Sequence, residues 1–290
     1  MAPTVALLSP GSMGAVVGGV LRRHGAEVIT CLEGRSPATA ARAREAGIEA
    51  VADDAALVER ADQLLSILVP SEAVSTARRV AAALEATGAD LVYVDCNAVA
   101  PATGREVAEV IAAAGGLPVD AGIIGGPPKR PGITRFYASG EHAGRFAVLG
   151  DHGLDVRVLG PEIGQASAFK MCYAAQTKGR YAIYLESLVT AAKLGLYDAL
   201  VEELQLSQEA VLGDTRRSLP GIPSKAGRWV GEMEEIAATF GSMGLTPEMF
   251  DGAADVYRYV DEASGGEGDP EEQGEEQLRA LVEQLARALP

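Results

Sequence analysis

The stretch TVALLSPGSMGAVVGGV, residues 4–20, limits the possible folds more than any other part of the chain. A short apolar run meets a turn with a proline and two glycines, and passes directly into alanine- and valine-rich sequence. Apolar runs without polar alternation suit parallel strands that are covered on both faces. The pattern then repeats. EVITCL, QLLSILV, LVYVD and LPVDAG are further candidate strands, and AVVGGVLRRHG, PATAARAREAG, SEAVSTARRVAAALEATG and PATGREVAEVIAAAGG are candidate helices. These helices end at Gly25, Gly47, Gly88 and Gly115, where a C-cap glycine belongs. Strand–helix alternation of this kind predicts an α/β, doubly wound Rossmann-type sheet. From about Gly164 onward strand patterns vanish and helix patterns take over, which predicts an all-α second domain. The expected domains are residues 1–162 and 163–290.

Composition narrows the partners. The 290 residues are 48% hydrophobic, enough to bury a sizeable core, yet no apolar run approaches the ~20 residues needed to cross a membrane. The start of the chain, MAPTVALLSPGSMG, has no basic segment followed by a cleavable apolar one, so a cytoplasmic protein is expected. A formal net charge of −15 argues against nucleic acid and against anionic membrane surfaces, which leaves a small molecule as the expected ligand. Much of that charge lies in DEASGGEGDPEEQGEEQ, expected to be a solvated loop and the polar face of a last helix. Cys31, Cys96 and Cys172 are odd in number, widely spaced and set in apolar sequence, so buried thiols are expected, with neither a disulfide framework nor a metal site.

Two features carry chemistry. The turn Ser9-Pro10-Gly11-Ser12-Met13-Gly14 is the dinucleotide fingerprint G-x-G-x-x-G with serine at its first glycine, and it lies between a strand and a helix as that motif requires. Gly11 lets backbone approach a pyrophosphate and Gly14 lets helix pack on strand. The second feature is Lys170, set within the apolar segment GQASAFKMCYAAQTKG. At helical spacing it shares a face with Ser167, Tyr173, Ala174 and Thr177, which suggests a pocket wall, although a helical lysine can also simply run its stem along apolar surface.

Four segments in order resemble the β-hydroxyacid dehydrogenases, the group of 3-hydroxyisobutyrate dehydrogenase and 6-phosphogluconate dehydrogenase. They are the fingerprint with Met13-Gly14; ILVPSEAV, like the family's strand ending in Leu-Pro; DAGIIGG, like its D-x-x-x-S-G-G; and GQASAFK, like its G-x-G-x-x-x-K. MCYAAQTKG and GEMEEIAATFGSMGL are similar to a branch labelled phosphogluconate dehydrogenase-like. The resemblance implies that Lys170 is the catalytic general acid/base, since reduction of a carbonyl by hydride leaves an alkoxide that a positioned ammonium can protonate. It implies cofactor contacts from Ser9, Pro10, Gly11, Ser12, Met13, Gly14, Val69, Pro70 and Asn97, although Asn97 reads equally as a capping or turn asparagine. It also implies substrate contacts at Ile124, Gly125, Gly126, Tyr173, Ala174, Thr177 and Glu232, and a homodimer through the helical domain.

Departures from the pattern qualify the substrate. Ile124 stands where the family has serine, and Ala174 where it has asparagine, so a small hydroxy acid does not follow. Glu232 lies near the acidic member of a Lys-Asp pair found in many relatives, with Gly231 in the lysine's place. After the second strand, the family's usual acidic position falls on Leu32, next to Glu33. Gly34-Arg35-Ser36-Pro37 resembles the Asn-Arg-Thr-Pro run of NADP-dependent relatives. Arg35 and Ser36 therefore point to NADP, and Glu33 leaves NAD possible. The leading expectation is an NADP-dependent oxidoreductase acting on a hydroxy acid or its carbonyl partner. An imine reductase, whose class generally lacks the lysine, and a non-catalytic dinucleotide-binding regulator are the alternatives.

Overall fold

The computed structural model describes residues 2–290, and packing divides them into two compact units, residues 2–171 and 172–290. The first unit is a single eight-stranded sheet with helices. In chain order it contains β1 (Thr4–Leu7), α1 (Ser12–Arg23), β2 (Glu27–Cys31), α2 (Pro37–Glu45), β3 (Glu49–Val51), α3 (Asp54–Arg60), β4 (Gln63–Ser66), α4 (Ala73–Thr87), β5 (Val92–Asp95) and α5 (Pro101–Ala113). It continues with β6 (Leu117–Ile124), β7 (Arg135–Ser139), α6 (Ala143–Ala147), β8 (Val156–Gly160) and the start of α7 (Gln165–Ala174).

Strand order is β3-β2-β1-β4-β5-β6-β7-β8, with every pair parallel except β6 against β7. The order reverses between β1 and β4, so the crevice beyond the carboxyl ends of these strands is the place where such sheets take ligands. Both faces of the central strands are dry, which explains the unbroken apolar runs. Val5 and Leu7 pack with Val17, Leu21 and Val28 in one core, while Ala6 and Leu8 pack with Ile29, Leu57, Leu64 and Tyr93 in another. The glycines that end α1, α2, α4 and α5 all have positive φ, as their C-cap positions require.

Three strands escape the sequence reading. β3 has only three residues and no buried one, and β8 sits at the sheet's other end with Val158 and Leu159 exposed, so neither shows a buried apolar run. β7, RFYAS, follows a loop and alternates half-buried with buried positions.

The second unit is entirely helical: the last residues of α7, one turn of π-helix at Ala175–Gly179, then α8 (Arg180–Lys193), α9 (Tyr197–Ser207), α10 (Glu209–Ser218), α11 (Pro223–Ser242), α12 (Glu248–Ser264) and α13 (Glu275–Ala288). α11 lies against α12, with Trp229 edge-on to Tyr257 and Phe240 against Phe250. The acidic segment between α12 and α13 is mostly exposed. The division between units falls inside α7, after Met171, because the first turns of that helix are bonded to the sheet. Cys172, expected buried, is exposed, whereas Cys31 and Cys96 are buried. Helical periodicity gives the reason: Met171, Ala174 and Ala175 take the inward positions and Cys172, Tyr173 and Gln176 the outward ones. Among the described residues no helix is long and apolar enough to cross a membrane.

Candidate active site

The fingerprint turn has the form a dinucleotide needs. Gly11 is the N-cap of α1, no side chain caps the helix and no acidic residue lies in its first turn, so the positive end of the helix is left for an anion. A Cβ on Gly11 would meet nothing within 4 Å, which marks open space in front of the backbone. A Cβ on Gly14 would lie 2.4 Å from the Ser9 carbonyl oxygen, so any side chain there would push α1 off β1. Ser9 and Met13 are half-buried, Pro10 is buried and Ser12 is exposed.

Beyond β2, Leu32 packs against the core and Glu33 is exposed. Arg35 immediately precedes Ser36, the N-cap of α2, whose hydroxyl accepts from Thr39 N at 3.2 Å. Arg42, which sequence reasoning missed, reaches back along α2. Its guanidinium donates to Thr39 Oγ1 at 3.2 Å and to the Pro10 carbonyl at 3.4 Å, joining α2 to the fingerprint turn. The helical tilt of side chains toward the N-terminus is the only signal that could have placed it there.

At the end of β4, Val69 is exposed and Pro70 is buried. Asn97 is buried, and its amide turns inward: Oδ1 accepts from Leu68 N at 2.6 Å, while Nδ2 donates to Ser66 Oγ at 3.0 Å and to Asp95 Oδ1 at 2.5 Å. The side chain thus anchors the loop that carries Val69 and Pro70.

Lys170 is half-buried on α7, and its Nζ donates to the Ile123 carbonyl at 2.6 Å. That carbonyl lies at the carboxyl end of β6, directly before Ile124, Gly125 and Gly126. Ile124 is buried, the two glycines are exposed, and Thr134 Oγ1 donates to the Gly126 carbonyl. The structure therefore brings together two of the four sequence segments, DAGIIGG and GQASAFK, in one place. Asp120, the buried first residue of DAGIIGG, receives several hydrogen bonds from the start of α7. Nothing in the local sequence marks it for that task.

In the helical unit, Tyr173 is exposed and Ala174 is buried. The Thr177 hydroxyl turns back to its own helix, donating to the Ala174 carbonyl at 3.2 Å. Glu232 is buried on α11 and forms an ion pair with Lys178, from the π-helical turn, with Arg228 also 3.9 Å away. Lys178 Nζ lies 5.1 Å from the centre of the Trp229 ring, and Tyr257 donates its hydroxyl to the Lys178 carbonyl at 2.5 Å. Burial pulls the Lys178 ammonium below the ordinary lysine range against the attraction of Glu232, and burial raises the Tyr257 phenol well above its usual value.

Known proteins resemble both parts of the chain. Residues 4–145 match the NAD binding domain of 6-phosphogluconate dehydrogenase, and residues 191–260 match a domain of unknown function, DUF1932. A Methanothermus fervidus protein described as an uncharacterized 28.5 kDa protein in the 7S RNA 5' region is 30% identical over 237 residues, covering 81% of this chain and 90% of its own. The solved structure of the conserved protein MTH1747, described as structurally similar to 3-hydroxyacid dehydrogenases, is 29% identical with a TM-score of 0.67, covering 91% of this chain and 98% of its own. Mycobacterium tuberculosis 3-hydroxyisobutyrate dehydrogenase shares the fold at 20% identity and a TM-score of 0.69, covering 98% and 99%. An imine reductase from Pseudomonas sp. shares it as well. The chain belongs to the β-hydroxyacid dehydrogenase family of NAD(P)-dependent oxidoreductases, in the branch that joins a 6-phosphogluconate dehydrogenase-type NAD-binding domain to DUF1932.

Proposed function

We propose that the protein is an NADP-dependent oxidoreductase that interconverts a hydroxy acid, or a related alcohol, and its carbonyl compound, with Lys170 as general acid and base. The observation that carries this reading is the Lys170 ammonium held on the Ile123 carbonyl, at the strand end that leads into Gly125 and Gly126. The turn from Ser9 to Gly14 fits the pyrophosphate of a dinucleotide, which when bound supplies or accepts a hydride. Lys170 then gives a proton to the oxygen of the reduced carbonyl, and in the oxidative direction its neutral amine removes the proton of the alcohol.

Four residues support NADP. Arg35 and Ser36 follow β2, with Leu32 and not a carboxylate at the family's acidic position, and Thr39 and Arg42 extend the polar, cationic surface toward Pro10. Guanidinium groups suit a 2′-phosphate, whereas a ribose diol favours a carboxylate. Ile124 and Ala174 put no polar side-chain atom where relatives have serine and asparagine, so a larger oxo acid or a sugar-derived carbonyl is the favoured substrate class. Exposed Leu194, Leu206, Met243 and Met249 on the helical unit support a homodimer.

Lys170 also favours C=O over C=N. An imine reacts best as its iminium cation, and a second cation at 4 Å would repel it by about 4 kcal/mol at an effective dielectric of ~20. The test is a panel of 2- and 3-oxo acids, semialdehydes and cyclic imines with NADPH at neutral pH. Turnover of carbonyls is expected; steady turnover of imines alone would overturn the reading.

A further inference from the structure

We infer that Asp120, acting with Ser139, is a positioning residue that fixes the start of α7 on the sheet and so sets where the Lys170 ammonium ends; this rests on the reading of Lys170 as the proton donor. The Asp120 carboxylate is buried, 2% exposed. Its Oδ2 accepts from Gly164 N at 2.9 Å, Ser167 N at 3.0 Å and Ser139 Oγ at 3.0 Å, and its Oδ1 accepts from Ser167 Oγ at 2.5 Å. Ser139 Oγ in turn accepts from Ala166 N at 3.0 Å. Amides at the start of α7 therefore end on two side chains that are themselves direct partners across β6 and β7.

An ordinary N-cap residue directly precedes its helix in sequence and leaves the helix free to move with it. Asp120 comes from a strand 44 to 47 residues earlier, so the same hydrogen bonds hold the helix to the sheet. The next two contacts lie along the same strand. A Cβ on Gly122 would sit 2.8 Å from Lys170 Cβ and 3.1 Å from the Ala166 carbonyl oxygen, so helix and strand touch where the lysine leaves its backbone. One residue on, the Ile123 carbonyl receives Lys170 Nζ. Strand β6 thus fixes the helix terminus, the root of the lysine and its tip in turn. A lysine carries several rotatable bonds, and misplacing a reacting group by about 1 Å can cost ~10²-fold in rate.

The experiment compares wild type with Asp120→Asn, Ser139→Ala, Lys170→Met and the double variant Ser139→Ala/Lys170→Met. It measures kcat, KM, the pH–rate profile and NADPH affinity by fluorescence titration. Asp120→Asn turns an amide hydrogen toward amide donors and is expected to lower kcat about 10- to 100-fold, with Ser139→Ala lowering it about 3- to 10-fold. Both should leave NADPH affinity within twofold and displace the limb of the pH profile that Lys170→Met removes. In the Lys170→Met background Ser139→Ala should cost nothing further, because nothing remains to be positioned. If Asp120→Asn does not fold, Ser139→Ala carries the test.

Three results would overturn the inference: unchanged kcat in Ser139→Ala, an equal loss from Ser139→Ala with and without Lys170, or parallel loss of kcat and cofactor affinity. Normal turnover by Lys170→Met would instead overturn the proton-donor reading and this inference with it.

Discussion

Lys170 donates to a backbone carbonyl at the end of a strand, whereas Lys178, eight residues later, lies between the Glu232 carboxylate and the face of Trp229 with its side chain 14% exposed. A carbonyl is held in place by its sheet and orients an ammonium without cancelling its charge. A carboxylate cancels that charge, and in a buried site each partner becomes a condition for the other. The first arrangement suits a proton donor. The second suits an internal tie, here between the π-helical turn and α11. The two lysines differ in what the backbone has built around each of them, and sequence spacing alone does not reveal that difference.

The largest effect should come from breaking the buried pair. Glu232→Ala leaves an uncompensated ammonium inside the helical unit and is expected to destabilise the protein by about 3–5 kcal/mol in urea unfolding. Replacing both partners, as Lys178→Met/Glu232→Leu, should recover most of that loss. A single variant within ~1 kcal/mol of wild type would show that Glu232 is not a structural tie.

Lys170→Met should show the opposite signature. Turnover is expected to fall 10²-fold or more, about 2.7 kcal/mol of transition-state stabilisation, while unfolding and NADPH affinity stay near wild type. A matching loss of stability would make Lys170 resemble Lys178, and the contrast would fail.

What was legible in the sequence follows the same division. The fingerprint turn, the glycine-ended helices and Lys170 are local patterns, and local patterns determine the units β1–α1, β2–α2, β4–α4 and β5–α5. Lys170 stood out because a charge within apolar sequence needs an explanation wherever the chain takes it. Asp120 was visible as the first residue of DAGIIGG but its role was not, because the amides it serves lie 44 to 47 residues away and a backbone N–H has no residue type. The Lys178–Glu232 pair spans 54 residues, so nothing local to Glu232 named its partner. Asn97 was visible, but which way its amide turned was not: the direction is set by Ser66 and Leu68 on the neighbouring strand and its loop. The edge strands were missed because an edge needs less apolar sequence than a centre.

A smaller effect tests the nucleotide side of the first unit. If Arg35 holds a 2′-phosphate, Arg35→Ala weakens NADPH binding by about 1.5–3 kcal/mol and barely changes NADH binding. Arg42→Ala is expected to follow the same order more weakly and to affect both nucleotides somewhat, since its guanidinium also holds the Pro10 carbonyl. Fluorescence titration of both nucleotides decides the matter. Wild-type preference for NADH would place Glu33 on the ribose and remove the case for NADP.

The smallest expected effect concerns pH and sharpens the contrast from the Lys178 side. Burial lowers the Lys178 pKa in the folded protein, so the unfolded chain, with an ordinary lysine value near ~10.4, binds that proton more readily. Unfolding must then take up a proton at any pH between the lowered value and ~10.4, and stability contributed at this site rises with pH through that window, by at most about 1.4 kcal/mol per pH unit. The sign is opposite to that of a lysine held mainly by its carboxylate, whose raised pKa would make stability fall as pH rises. Calorimetric unfolding at pH 9–10 in buffers of different ionisation enthalpy measures the uptake directly. Wild type should take up a fraction of a proton that Lys178→Met/Glu232→Leu does not; release of a proton, or equal uptake in both, would mean that Glu232 outweighs burial and that Lys178 is held by its charge partner.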